Sequence, residues 1–499
     1  MAASPITRLD LAGEPLPNDP IARISPLLHS VFGEYFGDVI YDGTWVGRDS
    51  AIPNIDGLRR DVVEGFRAAG VAGIRWPGGC CADHYHWKEG IGPTRSDRIH
   101  PRPIPASQPI WRHDFGTDEL MRLVALTGAE PIIIANLATG TAEEFLDWYE
   151  YCNGAATTKW GAQRAANGNP EPYGVTHWGM GNTDENVWIV AFDDPHAYAR
   201  AYLSWRAAIL ELPARFISLG LSERHQTPGW VERFLDYVTR GGKDASLAPH
   251  SLSIHHYSGG LKSRYKACEG AVDYSDEAYY FALRSVDAYQ SDIDLHRRHI
   301  AEHTPPGTEM TLSFDEWGLW HPEATDDAGL RQPQTMRDAL FAARSLHTFY
   351  RNADIVEYAM VTQWSNVLQS LFETDGPRFY RTPTFFVLKL CRGHLGQQVV
   401  PLTGIEEDEM LDCVASRSAD GKRLTISCAN IDLQRPRTVQ LGDTLGGRWR
   451  PGECRIVAPD SVRTQNSFAE GELIHDRSLE VTGGAVALPP HSFASLSFG

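Results

Sequence analysis

"THWGMGNTDENVWIV", residues 176–190, is a short apolar run that stops abruptly on polar residues. Trp178 and Met180 lead into Gly181, and Asn182, Thr183, Asp184, Glu185 and Asn186 follow at once. A buried strand that ends in chemistry-bearing residues is the pattern of an α/β fold whose strand ends face a cleft. The same pattern recurs along the chain. "HSVFGEYFG" (29–37), "VAGIRWPGG" (71–79), "AEPIIIANL" (129–137), "VTHWGMGN" (175–182), "ARFISLGLS" (214–222), "HSLSIHHYS" (250–258), "EMTLSFDEWG" (309–318) and "IVEYAMVTQW" (355–364) make eight such runs. Amphipathic stretches such as "DGLRRDVVEGFRAAG" and "TMRDALFAARSLHTFYRN" separate many of them. An open doubly wound sheet shares that alternation. The count of eight and the polar strand ends favour an α/β fold built as a (β/α)8 TIM barrel.

After about residue 391 the texture changes to short strands. "EMLDCVASRSADGKRLTISCANID" (409–432) reads as a hairpin with Asp420-Gly421 at its turn, and "RTVQLG", "RWRPGECRIVAP", "LEVTGGAVALPP" and "SFASLSFG" follow. This predicts a C-terminal β-sandwich of jelly-roll type. The expected division is an N-terminal segment 1–28 that lends a strand to the sandwich, a barrel over 29–390 and the sandwich over 391–499.

The formal net charge of −18 argues against nucleic acid or an anionic membrane as partner and suits a neutral ligand. No run of about 18 apolar residues implies a membrane span. "MAASPITRLDLAGEPLPNDP" has no apolar core of a signal peptide, so a cytoplasmic location is expected. The 8 cysteines form no CxxC pair and no Cys/His group has the spacing of a zinc motif, so the expectation is no metal.

The strand ends carry Glu34, Arg75, Asn136, Asn182, the run His255-His256-Tyr257, the pair Asp315-Glu316, and Gln363 with Asn366. Glycoside hydrolysis needs two carboxylates across such a mouth, one to attack the anomeric carbon or activate water and one to protonate the departing oxygen. Glu316 is the candidate nucleophile, and the fourth strand should supply the acid.

These segments make the chain resemble the α-L-arabinofuranosidases of glycoside hydrolase family 51. The resemblance rests on "FGEYFGDVIYDGTWVG", "IRWPGGCCADHYHWKEGIGP", "FGTDEL", "ANLATGTAEEFLDWYEYCNG", "WGMGN", "SIHHYSG", "FDEWGLW", "TQWSNVLQSLFETDG" and "RTPTFFVLKL", in family order, with "LPPHSFASLSF" as the last sandwich strand. It implies a retaining hydrolase of α-L-arabinofuranosyl residues with a carbohydrate substrate, no cofactor and a homo-oligomeric assembly. It makes Glu316 the nucleophile. It places Glu34, Arg75, Cys80, Asn182, Tyr257, Trp320 and Gln363 around the sugar.

One position departs from the pattern. The family reads Gly-Asn-Glu where this chain reads Gly181-Asn182-Thr183, and that glutamate is the acid/base. A threonine hydroxyl has no pKa matched to proton transfer near neutrality. Three readings stand open. Glu185 or Asp184 has taken the role after a local rearrangement; Glu185 shares a strand face with Thr183 but lies about 6.6 Å further along an extended chain. The chain is an acid/base-deficient or non-catalytic furanoside-binding relative. Or Thr183 is an introduced substitution. The segment "RSDRIHPRPIPASQPIWRHDFG" (95–116) also departs from family spacing, which points to a remodelled aglycone side.

Overall fold

A computed structural model describes residues 6–11, 23–95, 98–99, 110–182, 194–218, 229–259, 268–405, 408–442, 445 and 449–499. Eight parallel strands close into a barrel. Along the chain they are β1 (Ser30–Phe32), β2 (Gly73–Trp76), β3 (Glu130–Ala135), β4 (His177–Met180), β5 (Arg215–Ser218), β6 (Ser251–Gly259), β7 (Thr311–Trp320) and β8 (Val356–Thr362). Six of them fall within the apolar stretches of the sequence, and β6 and β7 run beyond theirs to Gly259 and Trp320. Each neighbour in sequence is a neighbour in space, and β8 returns to β1 through Met360 opposite Ser30.

Helices fill the crossovers: α1 (Arg60–Ala69), α2 (Thr117–Thr127), α3 (Ala142–Asn153), α4 (Lys159–Ala166), α5 (Pro195–Ala208), α6 (Trp230–Val238), α7 (Asp276–Arg284), α8 (Asp287–His303), α9 (Met336–Arg351) and α10 (Pro383–Cys391). Local chemistry sets their ends. Asp194 accepts bonds from the His196 and Ala197 N–H groups and Pro195 opens the first turn of α5, satisfying donors that have no helical partner. Gly70 closes α1 with φ 73°, where a side chain would be strained.

Strand alternation divides the apolar residues into two cores. Phe32, Ile132, Ile134, Ile217, Tyr358 and Met360 belong to one cluster, the filling of the barrel. Ile133, Ala135, Phe216, Ala359 and Val361 belong to the larger cluster formed with the helices. The site residues therefore stand on a packed floor rather than over a pore.

The rest of the chain is a sandwich of two sheets. One holds Leu402–Thr403, Ile6–Leu11, Arg437–Leu441 and Ala485–Leu488 in that order. The other holds Gln398–Val400, Leu411–Arg417, Leu424–Asn430, Ser492–Phe498, Pro451–Val457 and Arg477–Ser478. The N-terminal strand runs parallel to Arg437–Leu441, with Leu9 opposite Leu441, and so ties the two ends of the chain together. The hairpin at Asp420-Gly421 is present, but its loop is longer than a two-residue turn: the Ser418 N–H donates to Arg423 O at 2.9 Å, and Gly421 has φ 68°.

Helix α9 is buried on nearly every side because the barrel covers one face and the sandwich another. Polar residues on this seam must find partners inside it. His347 Nε2 lies 2.7 Å from Ser427 Oγ, and His394 Nε2 lies 3.0 Å from the same oxygen. His394 Nδ1 is 2.7 Å from Ser416 Oγ, and His29 Nε2 is 2.5 Å from Tyr350 Oη. Burial lowers the pKa of His29 to about 3 and that of His394 well below its usual value. These imidazoles are neutral fittings.

A histidine depressed in this way gains its proton on unfolding. Its contribution is complete above the ordinary 6.5 and drains as pH falls from there towards about 3. Urea titrations of the wild type and of His29→Gln at pH 8 and pH 5 should show the variant gaining about 2 kcal/mol on the wild type over that interval. A constant difference would mean that His29 is protonated in the fold.

Candidate active site

Arg75, on β2, is fully buried and forms the hub of the barrel mouth. Its Nη1 donates to Glu316 Oε1 at 3.2 Å and to the Asp315 backbone carbonyl at 2.8 Å, and its Nη2 donates to Asn182 Oδ1. The guanidinium lies 4.5 Å from the centroid of Phe32, the barrel-filling ring on β1. One cation thus joins the ends of β2, β4 and β7.

Glu316 is nearly buried, with 9% of its surface exposed. Its second oxygen accepts from Tyr257 Oη at 2.9 Å and lies 3.5 Å from His255 Nδ1. Tyr257 also has Thr362 Oγ1 within 3.1 Å. Burial and then Glu316 push the Tyr257 pKa well above its usual value, so the phenol remains a donor. His255 Nε2 is 3.3 Å from Asp315 Oδ2, and Ser253 Oγ donates to Asp315 Oδ1 at 2.5 Å. Burial opposes a charged His255, yet Glu316 and Asp315 together raise its pKa. Burial likewise opposes a charged Asp315, yet His255 and Arg75 bring its pKa below the usual value.

Glu34 behaves differently. Burial, followed by repulsion from Glu316, raises its pKa to about 8, against the pull of the Cys81 N–H and Arg75. At neutral pH it is mainly a carboxylic acid. Cys81 N–H donates to its Oε1 at 2.7 Å, and Gln363 Nε2 lies 3.4 Å from its Oε2. Gln363 Oε1 also accepts from the Glu34 backbone N–H at 3.1 Å, which locks β8 to β1.

The other candidates divide. Trp320, the last residue of β7, meets Tyr257 edge to face with ring centroids 5.5 Å apart. Cys80 is half-buried and opens the short turn Cys80–His84 beside Gly79. His256 turns away from the mouth: its Nδ1 is 2.6 Å from Asp292 on α8, as strand alternation requires of the neighbour of an inward His255. Asn136 and Asn366 are loop braces. Asn136 Oδ1 accepts from the Thr139 and Gly140 N–H groups, and Asn366 spans Asp38 and Thr374. Thr183 and Glu185 lie outside the described residues.

Residues that the sequence reading did not assign also build the site. Asp83 accepts from the Asn182 N–H at 3.3 Å. Gly79 is where two carboxylates meet the backbone: a Cβ there would stand 2.9 Å from Glu34 Oε2 and 3.0 Å from Glu316 Oε1. The paired glycines of "PGGCC" were the available signal.

Known proteins resemble the chain over most of its length. An α-L-arabinofuranosidase C-terminal domain profile matches residues 315–492, and an α-L-arabinofuranosidase 1 domain profile matches residues 66–211. A probable α-L-arabinofuranosidase C of Aspergillus fumigatus is 32% identical over 505 residues, spanning 95% of both chains. The chain belongs to the α-L-arabinofuranosidases of glycoside hydrolase family 51. An intracellular exo-α-L-arabinofuranosidase of Bacteroides ovatus is 28% identical over 94% of this chain and 92% of its own. The family 51 arabinofuranosidase of Xanthomonas axonopodis pv. citri superposes with a TM-score of 0.86 at 28% identity, with 99% of each chain covered. The α-L-arabinofuranosidase of Thermotoga maritima in its arabinose complex does so at 0.82 and 25% identity, also over 99% of each chain. Family 51 thus supplies the barrel-plus-sandwich architecture and glycoside hydrolase chemistry.

Gly79→Ala tests the close approach between Glu34 and Glu316. The flexible carboxylates can yield, so the melting temperature should change little. Displacing Glu316 by a fraction of an ångström to one ångström should lower kcat/KM on an aryl arabinofuranoside by up to about 100-fold. Wild-type kinetics in that variant would show that the two carboxylates are not held against this turn.

Proposed function

We propose that this family 51 member is a retaining exo-acting hydrolase that removes α-L-arabinofuranosyl residues from the non-reducing ends of oligosaccharides or glycosides. The observation that carries the reading is the Glu316 carboxylate, held by Arg75 and Tyr257 beside a protonated Glu34. Glu316 attacks the anomeric carbon as the bond to the leaving oxygen breaks, and a proton passes to that oxygen. Water then attacks the arabinosyl ester, gives up a proton and releases Glu316. Arg75, Tyr257 and His255 orient Glu316. Glu34, Asn182, Gln363, Cys80 and Trp320 surround the sugar. A protonated Glu34 offers a donor to a sugar oxygen and adds no third negative charge to the mouth.

The position of Thr183 sets the proton donor apart from the rest. We assign the acid/base role to Glu185, the nearest glutamate in sequence to the position where the family carries its own. The second reading, a relative deficient in acid/base catalysis, rests on the same threonine. The domain division stays as proposed, with 1–28 joined to the sandwich 391–499 around the barrel 29–390. Family resemblance supports a homo-oligomer acting on a carbohydrate, the net charge of −18 argues against nucleic acid or an anionic membrane as partner, and the intracellular Bacteroides ovatus relative supports a cytoplasmic location. No helix among the described residues is long and apolar enough to cross a membrane.

Glu316→Ala should abolish turnover even of aryl arabinofuranosides with good leaving groups, and a mechanism-based furanoside label should attach to Glu316 in the wild type. A label on another carboxylate would overturn the assignment.

The proton donor is tested on a substrate with a poor leaving group. Glu185→Gln should lose activity together with the alkaline limb of the pH profile, and azide should partly restore turnover of an activated substrate. An unchanged Glu185→Gln beside a Thr183→Glu variant faster by orders of magnitude would identify Thr183 as a vacated acid position instead.

A further inference from the structure

We propose that the outer helical ring carries a binding site for a divalent transition-metal cation of the Zn2+ class, formed by Glu232 on α6 with His299 and His303 on α8. One ligand atom from each of the three residues lies within 4.8 Å of the other two. Two histidines four residues apart stand one above the other on a single helix face. Glu232 reaches them from the neighbouring helix, so the set exists only because α6 packs on α8. The sequence reading found no zinc-spaced group because its third ligand comes from a separate helix.

Two imidazoles and a carboxylate suit Zn2+ and its neighbours rather than Mg2+ or Ca2+, which prefer all-oxygen shells. A tetrahedral Zn2+ with ligands at about 2.1 Å would draw them to about 3.4 Å from one another. Side-chain rotation of exposed Glu232 and half-buried His303 covers that difference. Asp236, one turn beyond Glu232, lies 2.7 Å from His303 Nδ1. A carboxylate in that place orients the ring and raises its basicity, as the outer partners of metal-bound histidines do. The packing around the group is fixed as well: Thr239 Oγ1 donates to the His303 carbonyl at 2.7 Å.

The cation would clamp α6 to α8. Helix α8 also supplies Asp292 to His256, the neighbour of His255 and Tyr257 on β6. The site thus braces the helix behind the strand that presents two of the partners of Glu316, and it takes no part in the chemistry.

The test is calorimetric titration of chelator-treated full-length protein with Zn2+, read together with the melting temperature. The wild type should take up one Zn2+ per chain with a rise in melting temperature, and Co2+ should give the visible band of a tetrahedral site. Glu232→Ala, His303→Ala and Asp236→Asn should each weaken binding by about 10-fold or more. Arabinofuranosidase activity of metal-free Glu232→Ala should match that of the metal-free wild type. Absence of saturable binding by the wild type, or wild-type affinity in all three variants, overturns the proposal. Glu232 is exposed, so its variant tests the site without disturbing the core.

Discussion

The burial of the Arg75 guanidinium is the constraint on which the barrel mouth depends. A cation removed from water is tolerated only where carboxylates and carbonyls replace its hydration, and stripping one partner from such a group costs about 3–5 kcal/mol. Arg75 meets that demand with Glu316, the Asp315 carbonyl, Asn182 and the face of Phe32. Each partner comes from a different strand or a different part of one. The ends of β1, β2, β4 and β7 are therefore held in mutual register by a single side chain.

Burial and charge balance together explain the unequal behaviour of Glu34 and Asp315. Arg75 and His255 both face Asp315 and Glu316. Burial disfavours a third anion at Glu34, and Glu316 repels it. Its pKa accordingly rises to about 8, while that of Asp315 falls. Residues of one chemical type thus take different protonation states because their surroundings differ, the principle by which hydrolases separate the roles of carboxyl groups. The tight Gly78-Gly79 turn belongs to the same arrangement, since only a missing side chain lets Glu34 and Glu316 approach one stretch of backbone together.

The seam between barrel and sandwich follows an opposite rule. There His29, His347 and His394 are buried as neutral rings with hydroxyl partners, next to the ion pair of Asp412 with Arg351. Helix α9 reads as amphipathic in sequence, yet it is enclosed because the sandwich covers the face that an isolated barrel would expose to water. The N-terminal strand joins the sandwich across the whole length of the chain.

Much of the architecture was legible because its signals are local. Apolar runs of strand length, polar stops and glycine-marked turns mark out eight strands, and the change of texture after residue 391 marks the sandwich. The order of motifs from Glu34 to Gln363 was enough to suggest the family. What the sequence could not decide depends on distance through space. Arg75 and Glu316 are 241 residues apart; their opposite charges suggest that Arg75 holds Glu316, but only the fold brings them to 3.2 Å. Strand period separates His255 from His256, but only the packing of α8 makes His256 a structural partner of Asp292. The protonation of Glu34 is set by burial and by charges from other strands. The grouping of Glu232 with His299 and His303 appears only where two helices meet. Periodicity and turn chemistry are properties of a few neighbouring residues and determine the elements. Electrostatics and coordination sum over everything within a few ångströms, and only the tertiary structure decides what those neighbours are.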